Sequence, residues 1–352
     1  SLFLTATAPG EISVIIQSLI KGKSTGPNSI PVKLFKIFDP YISVQLSLIF
    51  NESFQYGIFP DKLKIAKVIP IFKKGDSSKN SNYRPISLLS IFSKIIEKLM
   101  HQRLYNFLEL HEILFQMQFG FRKGHSTDHA LISLSERIKN TLDSNRVGCG
   151  IFIDLQKAFD TVNHNILLQK LNHYGIRGTA LNWFESYLSG RLQYVSVNGH
   201  SSSLGGITCG VPQGSVLGPL LFLIYINDLP NSSRILSFFL FADDTNIYFE
   251  SDNVTELKYK INKELQKVKS WLEVNKLSLN IDKTNYVVFH SPRKKLPGYI
   301  GIKLGKKPVS RTCYVKFLGV LMDDNLSWKY HISELTKKLS RSSGIFFKIR
   351  HL

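Results

Sequence analysis

Cysteine, methionine and tryptophan each occur only three times in this chain of 352 residues. The cysteines, Cys149, Cys209 and Cys313, stand far apart without paired spacing, so neither a disulfide framework nor a structural zinc site is indicated. Acidic residues are scarce too: 26 Asp and Glu face 45 Lys and Arg, a formal net charge of +19. Long hydrophobic runs are missing. The longest nearly apolar stretch, Val216 to Ile226, is broken by Gly218 and Pro219 and falls short of the ~20 residues a membrane span needs. No signal peptide is evident, and the Asn-x-Ser/Thr triplets at Asn51, Asn231 and Asn253 are read as chance. The expected setting is therefore reducing and intracellular, nuclear or cytoplasmic, and not secreted. The chain opens on Ser1 and not Met, which makes a fragment of a longer protein the expectation.

What is present is a foldable, basic chain. A hydrophobic fraction of 43% suffices for a sizeable core and excludes general disorder. From Ser291 to Leu352 there are 14 Lys/Arg against three Asp/Glu, and Asp61 to Arg84 holds seven basic residues and two acids. Such clusters suit a polyanion, because each phosphate contact releases counterions and adds sequence-independent affinity. Nucleic acid is the expected partner, although composition alone also fits an anionic membrane surface.

Helical apolar spacing covers Glu11 to Ile20 and Pro31 to Phe59, on either side of the turn residues Gly26, Pro27 and Asn28. Lys67 to Phe72 alternates as a strand, a polar loop runs to Asn82, and Ile86 to Leu110 reads as one helix. Gly148 to Leu155 is strand-like. Asn165 to His173 is helical with Gly175 as its stop, and Trp183 to Leu188 is a further helix. Leu192 to Val197 alternates ahead of the hairpin turn Asn198-Gly199. An apolar helix follows the loop Gly210 to Gly214, then two strands from Ile235 to Phe249 interrupted at Ala242 to Thr245. A long helix, Val254 to Asn275, precedes strands at Tyr286 to Phe289 and Val315 to Leu321. Irregular alternation with several hairpins predicts an α+β fold and not a doubly wound sheet.

Three acids sit where apolar sequence should bury them. Asp154 ends Gly150-Ile-Phe-Ile-Asp154, and Asp243-Asp244 follow Phe238-Phe-Leu-Phe-Ala242. Carboxylates crowded in a half-buried site repel, and one would stay protonated. A divalent cation removes that cost, and hard oxygen donors on separate strands suit Mg²⁺, which takes waters and substrate phosphates as its other ligands. Two such ions about 3.5–4 Å apart activate a hydroxyl and stabilise a leaving phosphate oxygen. For the pair alone, ordinary turn chemistry is an equal reading.

The surrounding motifs decide between them. Asn82-Tyr-Arg-Pro-Ile-Ser-Leu88, Gly120-Phe-Arg-Lys-Gly-His-Ser-Thr127, Phe152-Ile-Asp-Leu-Gln-Lys-Ala-Phe-Asp160, Gly210-Val-Pro-Gln-Gly-Ser-Val-Leu-Gly-Pro219, Phe241-Ala-Asp-Asp244, Leu277-Ser-Leu-Asn-Ile-Asp-Lys-Thr284 and Phe317-Leu-Gly-Val320 occur in this order. Together they resemble the boxes of reverse transcriptases, and the wording of the fourth is most like the non-LTR (LINE-type, Jockey-like) retrotransposon enzymes. The resemblance implies a right-hand polymerase fold, with an antiparallel palm sheet, helices, fingers and a truncated thumb. Residues 1–60 would be an N-terminal extension, 61–322 the reverse transcriptase domain and 323–352 the start of the thumb.

The resemblance also assigns roles. Asp154 and Asp243 would ligate two Mg²⁺ ions, with Mn²⁺ a possible substitute; Asp244 would be the weaker ligand, and the Leu155 carbonyl would assist. Lys73, Lys74 and Arg84 would grip the incoming triphosphate, the arginine in bidentate fashion. Phe159 would sit under the ribose and exclude a 2′-OH. Gln213 would lie against the template–nucleotide pair, Lys283 would act as general acid towards pyrophosphate, and Arg122 would contact template. The expected partners are an RNA template, a DNA primer and deoxynucleoside triphosphates, with the oligomeric state left open. Asp160 matches a position where RNA-dependent RNA polymerases recognise the 2′-OH, but Phe159, and Ala242 in place of Gly, oppose that assignment. A catalytically silent nucleic-acid-binding remnant is the rival of a different class. Gly22-Lys23-Ser24 fails as a P-loop ending because Gln17 stands where Gly is required, and no Glu follows His125 to make a metalloprotease motif with His129.

Overall fold

The computed structural model describes residues 1–20, 26–27, 30–298 and 300–349. Gly22-Lys23-Ser24 and Asn28 of the expected turn lie outside them. The chain forms two compact units, each built from two separate segments: residues 1–114 with 157–227, and residues 115–156 with 228–352. Helices and largely antiparallel sheets make up both, the α+β class expected from the sequence.

In the first unit the helix Val32–Tyr56 runs through Pro40 and stops at Gly57, whose φ of 68° is the left-handed cap glycine tolerates best. The strand Ile65–Phe72 pairs antiparallel with Tyr83–Leu88 and parallel with Arg191–Val197. The expected single helix Ile86 to Leu110 is corrected here. Its first residues belong to Tyr83–Leu88, and the helix is Ile91–Leu110, capped by Ser90, whose Oγ accepts the Ser93 N–H at 3.1 Å. The reason is Pro85. It fixes its own φ and restricts the residue before it, so Arg84 and Pro85 stay extended and pair with Ile71 and Pro70.

Phe59, Trp183 and Tyr187 form the aromatic centre of this unit, with Phe59 edge-on to both partners at 5.3 and 5.1 Å. The Trp183 indole N–H donates to Ser53 Oγ at 3.0 Å, so the buried ring keeps its polar partner. The helix Gly218–Ile226 is apolar all round because all its residues except half-buried Pro219 are buried. Asn198 and Gly199, at φ 50° and 84°, make the predicted two-residue turn between paired Val197 and His200.

In the second unit five strands lie in the order Ser310–Arg311, Asn285–Phe289, Val147–Ile153, Asp244–Ser251, Ser237–Phe241. All neighbours are antiparallel except the short first pair. Val147–Ile153 is buried at every position, since helices cover both faces of the sheet. On one face Ala130, Leu134 and Ile138 of the helix Thr127–Asp143 pack over Phe152, Phe239, Tyr248 and Phe289. Gly148 and Gly150 make room there: a Cβ at Gly148 would fall 1.9 Å from the Tyr248 hydroxyl. The helix Val254–Val274 also packs on this sheet and buries Leu257, Ile261, Leu265 and Val268. The expected strand Val315 to Leu321 is instead a hairpin, Tyr314–Phe317 with Val320–Asp323, because Leu318 and Gly319 take φ 45° and 95° and turn the chain. The Lys329–Ile349 helix follows. Among the described residues no helix is long and apolar enough to cross a membrane.

Candidate active site

The three acids meet at one end of the second unit's sheet. Asp154 directly follows the Val147–Ile153 strand, and Ile153 pairs with Thr245, the residue after Asp244. Phe241 pairs with Asp244, so Ala242 and Asp243 are the two residues of a tight hairpin turn. Ala242 adopts φ 55°, a conformation that non-glycine residues rarely take. Asp154 is held on its far side. Its carbonyl accepts the Asn280 N–H at 2.8 Å, and its N–H donates to Thr284 Oγ1 at 3.3 Å. Leu155 forms a bridge with Leu279, flanked by bonds of Gln156 N to Ser278 O and Asn280 N to Asp154 O. That pattern turns the Leu155 carbonyl away from residues 278–280.

Charge crowding is visible at Asp244. Burial, then the charges of Asp243 and Asp154, push its carboxyl up from 3.8 to about 6. Lys283 brings its Nζ to 3.6 Å from Asp154 Oδ2, with both side chains well exposed. Among the described residues no three His, Cys, Asp or Glu side chains already converge on a metal position. The oxygen-only donor set and the mutual repulsion nonetheless fit a hard dication that brings waters and phosphate oxygens of its own.

The raised Asp244 carboxyl has a consequence for stability. It binds its proton more tightly in the folded chain than in the unfolded one, so the metal-free fold loses stability as pH climbs from near 3.8 to about 6. Asp244→Asn should remove that loss. Solvent screens this partly exposed group, so the expected gain at pH 8 is about 1 kcal/mol, vanishing near pH 4. Thermal unfolding in EDTA at the two pH values checks this; an equal shift at both would refute it.

The other expected site residues divide between the units. Arg122 is in the second unit, its Nη1 donating to the Phe115 carbonyl at 3.1 Å. Lys73, Lys74, Arg84, Phe159 and Gln213 are in the first. Lys73 and Lys74 are exposed at the start of the loop after Ile65–Phe72, and Arg84 is exposed on the facing strand. Phe159 is half-buried in the turn Ala158–Asp160 and stacks on buried Phe222 at 4.5 Å. Gln213 Nε2 donates to Asp160 Oδ1 at 2.8 Å. Its carbonyl accepts the Ser87 N–H at 2.7 Å, which ties its loop to the strand carrying Arg84. Glycine is required there for space: a Cβ at Gly210 would meet Asp160 O at 2.6 Å, and one at Gly214 would meet Ser87 O at 2.5 Å.

Two residues that the sequence did not single out support these elements. Gln118 accepts the N–H groups of Gly120 and Ala242, and Glu97 accepts those of Val216 and Leu217. Neither has a local sequence signal for this role, because Ala242, Val216 and Leu217 lie more than a hundred residues from the side chain that accepts from them. His125 and His129 are ring neighbours at 6.3 Å at the start of the Thr127–Asp143 helix.

Residues 71–322 match the family described as reverse transcriptase (RNA-dependent DNA polymerase). The chain belongs to that family. Among curated proteins it is similar to the RNA-directed DNA polymerase from mobile element jockey of Drosophila melanogaster, with 29% identity over 98% of this chain and 38% of that protein. The jockey enzyme of Drosophila funebris is 29% identical over 92% of the chain and 36% of its own length. "Probable RNA-directed DNA polymerase from transposon BS" of Drosophila melanogaster is 31% identical over 93% and 37%. The chain thus spans less than two fifths of the length of these relatives, and the reverse transcriptase family match covers every motif from Asn82 to Val320.

Proposed function

We propose that this reverse transcriptase chain extends a DNA primer with deoxynucleotides on an RNA template, as part of a non-LTR retrotransposon enzyme. The observation that supports this most is the placement of Asp154, Asp243 and Asp244 at one end of paired strands in a chain of this family. On this reading the sheet of the second unit is the palm, the basic segment from Asp61 belongs to the fingers, and residues 323–352 begin the thumb, with residues 1–60 an N-terminal extension. An intracellular setting, nuclear or cytoplasmic, goes with it.

Asp154 and Asp243 would hold two Mg²⁺ ions, with Asp244 and the Leu155 carbonyl as weaker donors and Mn²⁺ as a substitute. Bound there, the cations supply Lewis acidity to the primer hydroxyl and to the phosphate oxygens. The primer 3′-hydroxyl gives up its proton to solvent water, its oxygen bonds to the α-phosphorus, the bond to the bridging oxygen breaks, and pyrophosphate leaves. Lys283 leaves Asp154, 3.6 Å away, to give its proton to that leaving group. Lys73, Lys74 and Arg84 bind the triphosphate, and Arg122 contacts the template. The Phe159 ring, braced by Phe222, occupies the space a 2′-OH would need. Asp160 fixes the amide of Gln213 by accepting its Nε2–H, which leaves the Gln213 oxygen for the nucleotide pair.

Primer extension on an RNA template with Mg²⁺, run with deoxy- or ribonucleotides, tests this directly. Deoxynucleotide extension is expected. Loss of a metal ligand removes several kcal/mol of transition-state stabilisation, so Asp243→Asn should slow it on the order of 10³-fold. Ribonucleotide extension would overturn the role given to Phe159. Tight, salt-sensitive binding without any extension would favour the silent remnant.

A further inference from the structure

The turn carrying Asp243 and Asp244 has a dedicated anchor. Gln118 is 2% exposed, and its Oε1 accepts two backbone N–H groups, from Gly120 at 2.9 Å and from Ala242 at 3.0 Å. Its Nε2 is buried with no hydrogen-bond partner, so only the oxygen of this amide does any bonding. The anchor is itself fixed: Leu240 N donates to Met117 O at 2.9 Å and Phe119 N to Leu240 O at 2.8 Å, a parallel bridge along the strand leading into the turn.

The turn needs an outside hold for two reasons. Ala242 is held at φ 55°, which side-chain-bearing residues leave readily when nothing over-determines them. The charges of Asp243 and Asp154 also act unfavourably on the Asp244 carboxylate, so the turn gathers like charges close together. A single acceptor oxygen at the start of the turn opposes both tendencies.

We propose that Gln118 is a positioning residue: its Oε1 clamps the Ala242 amide and so holds the Asp243–Asp244 turn in readiness for the divalent cation. This rests on the polymerase reading for its functional part. The clamp itself does not.

Three variants of the full chain test it: Gln118→Leu, which keeps volume and removes the acceptor; Gln118→Glu, which keeps an oxygen at the same reach; and Gln118→Leu combined with Ala242→Gly. The first readout is amide hydrogen exchange over residues 238–245, which requires no activity. Exchange at Ala242 should quicken at least tenfold in Gln118→Leu and stay near native in Gln118→Glu. The second is Mn²⁺ binding to the nucleotide-free protein, followed by the loss of the free-ion electron spin resonance signal. Gln118→Leu should bind about tenfold more weakly and need about tenfold more Mg²⁺ for half-maximal extension. Ala242→Gly should restore part of both, because glycine occupies the left-handed region freely; a role in core packing alone would not be rescued at residue 242. Native exchange and native Mn²⁺ affinity in a folded Gln118→Leu overturn the proposal. If that variant does not fold, loss of Mn²⁺ affinity in a folded Gln118→Glu with slow Ala242 exchange overturns it instead. Absence of extension and of Mn²⁺ binding in the native chain, with the exchange pattern as expected, leaves the clamp standing and refutes the polymerase reading.

Discussion

Gly120→Ala should cripple the acid-bearing turn. A Cβ at this position would lie 2.3 Å from Ala242 N, 2.9 Å from Phe241 C and 3.0 Å from Ala242 Cα. All three are backbone atoms, so no side chain can swing aside. The Met117–Gly120 segment and the turn would have to separate by about an ångström, and that gap is spanned by the bonds of Ala242 N to Gln118 Oε1 and Phe119 N to Leu240 O. Overpacking of this kind costs about 1–3 kcal/mol of stability. A displacement of about 1 Å at a catalytic group costs on the order of 10²-fold in rate. The expected result is therefore a chain that folds with a lowered urea midpoint and extends primers at least a hundredfold more slowly. Gly10→Ala is the control, since nothing lies within 4 Å of a Cβ there. Extension by Gly120→Ala at the native rate would show that the turn tolerates the separation.

Glu97→Leu should strongly destabilise the first unit. Glu97 is fully buried. Its Oε2 accepts from Val216 N at 2.7 Å and Leu217 N at 3.3 Å, and its Oε1 accepts from Ser93 Oγ at 3.0 Å. It thereby supplies, from a distant helix, the negative charge that the first turn of Gly218–Ile226 lacks and acceptors for the two N–H groups just ahead of it, while Ser215 Oγ accepts the Gly218 N–H. Burial pushes its carboxyl up, while the buried Arg191 guanidinium draws it back down. Arg191 is 1% exposed and donates to Tyr187 O at 3.0 Å. Leucine would leave two N–H groups unpaired and Arg191 without its compensating charge, a loss of about 3–5 kcal/mol. Glu97→Gln keeps one accepting oxygen and should lose clearly less. Urea unfolding of the two variants checks the ranking. The same bonds steady the end of the Pro212–Gly214 loop, so Gln213 should be displaced in Glu97→Leu. Equal stability of the two variants would mean that the charge, and not the oxygen, is what matters.

Much of the site was legible before the fold. Asp154 and the Asp243–Asp244 pair stand out because each directly follows a short, continuously apolar run, the pattern of a strand buried on both faces. In the structure Ile153 pairs with Thr245, which brings the ends of their strands together. The close approach of Gly210 to Asp160 and of Gly214 to Ser87 was not foreseen, because it joins segments far apart in the chain. Reading failed where a local rule yields to pairing. Ile86 and Leu88 carry helical spacing with the residues after them, yet they pair with Ile69 and Lys67 as strand. Leu318-Gly319 turned a single expected strand into a hairpin.

The sequence by itself determined the α+β class, the basic character, the family motifs and the candidate acids, because periodicity, composition and short-range spacing are properties of neighbouring residues. Only the tertiary structure decided which distant groups hold those acids in place. Gln118 and Ala242 are 124 residues apart, and Glu97 and Val216 are 119 apart. A hydrogen bond across such a span depends on ångström-level register between elements that local chain chemistry cannot specify. A glutamine or a glutamate reads the same in sequence whether it lies in water or, as here, supplies the acceptor that a buried turn or helix end needs.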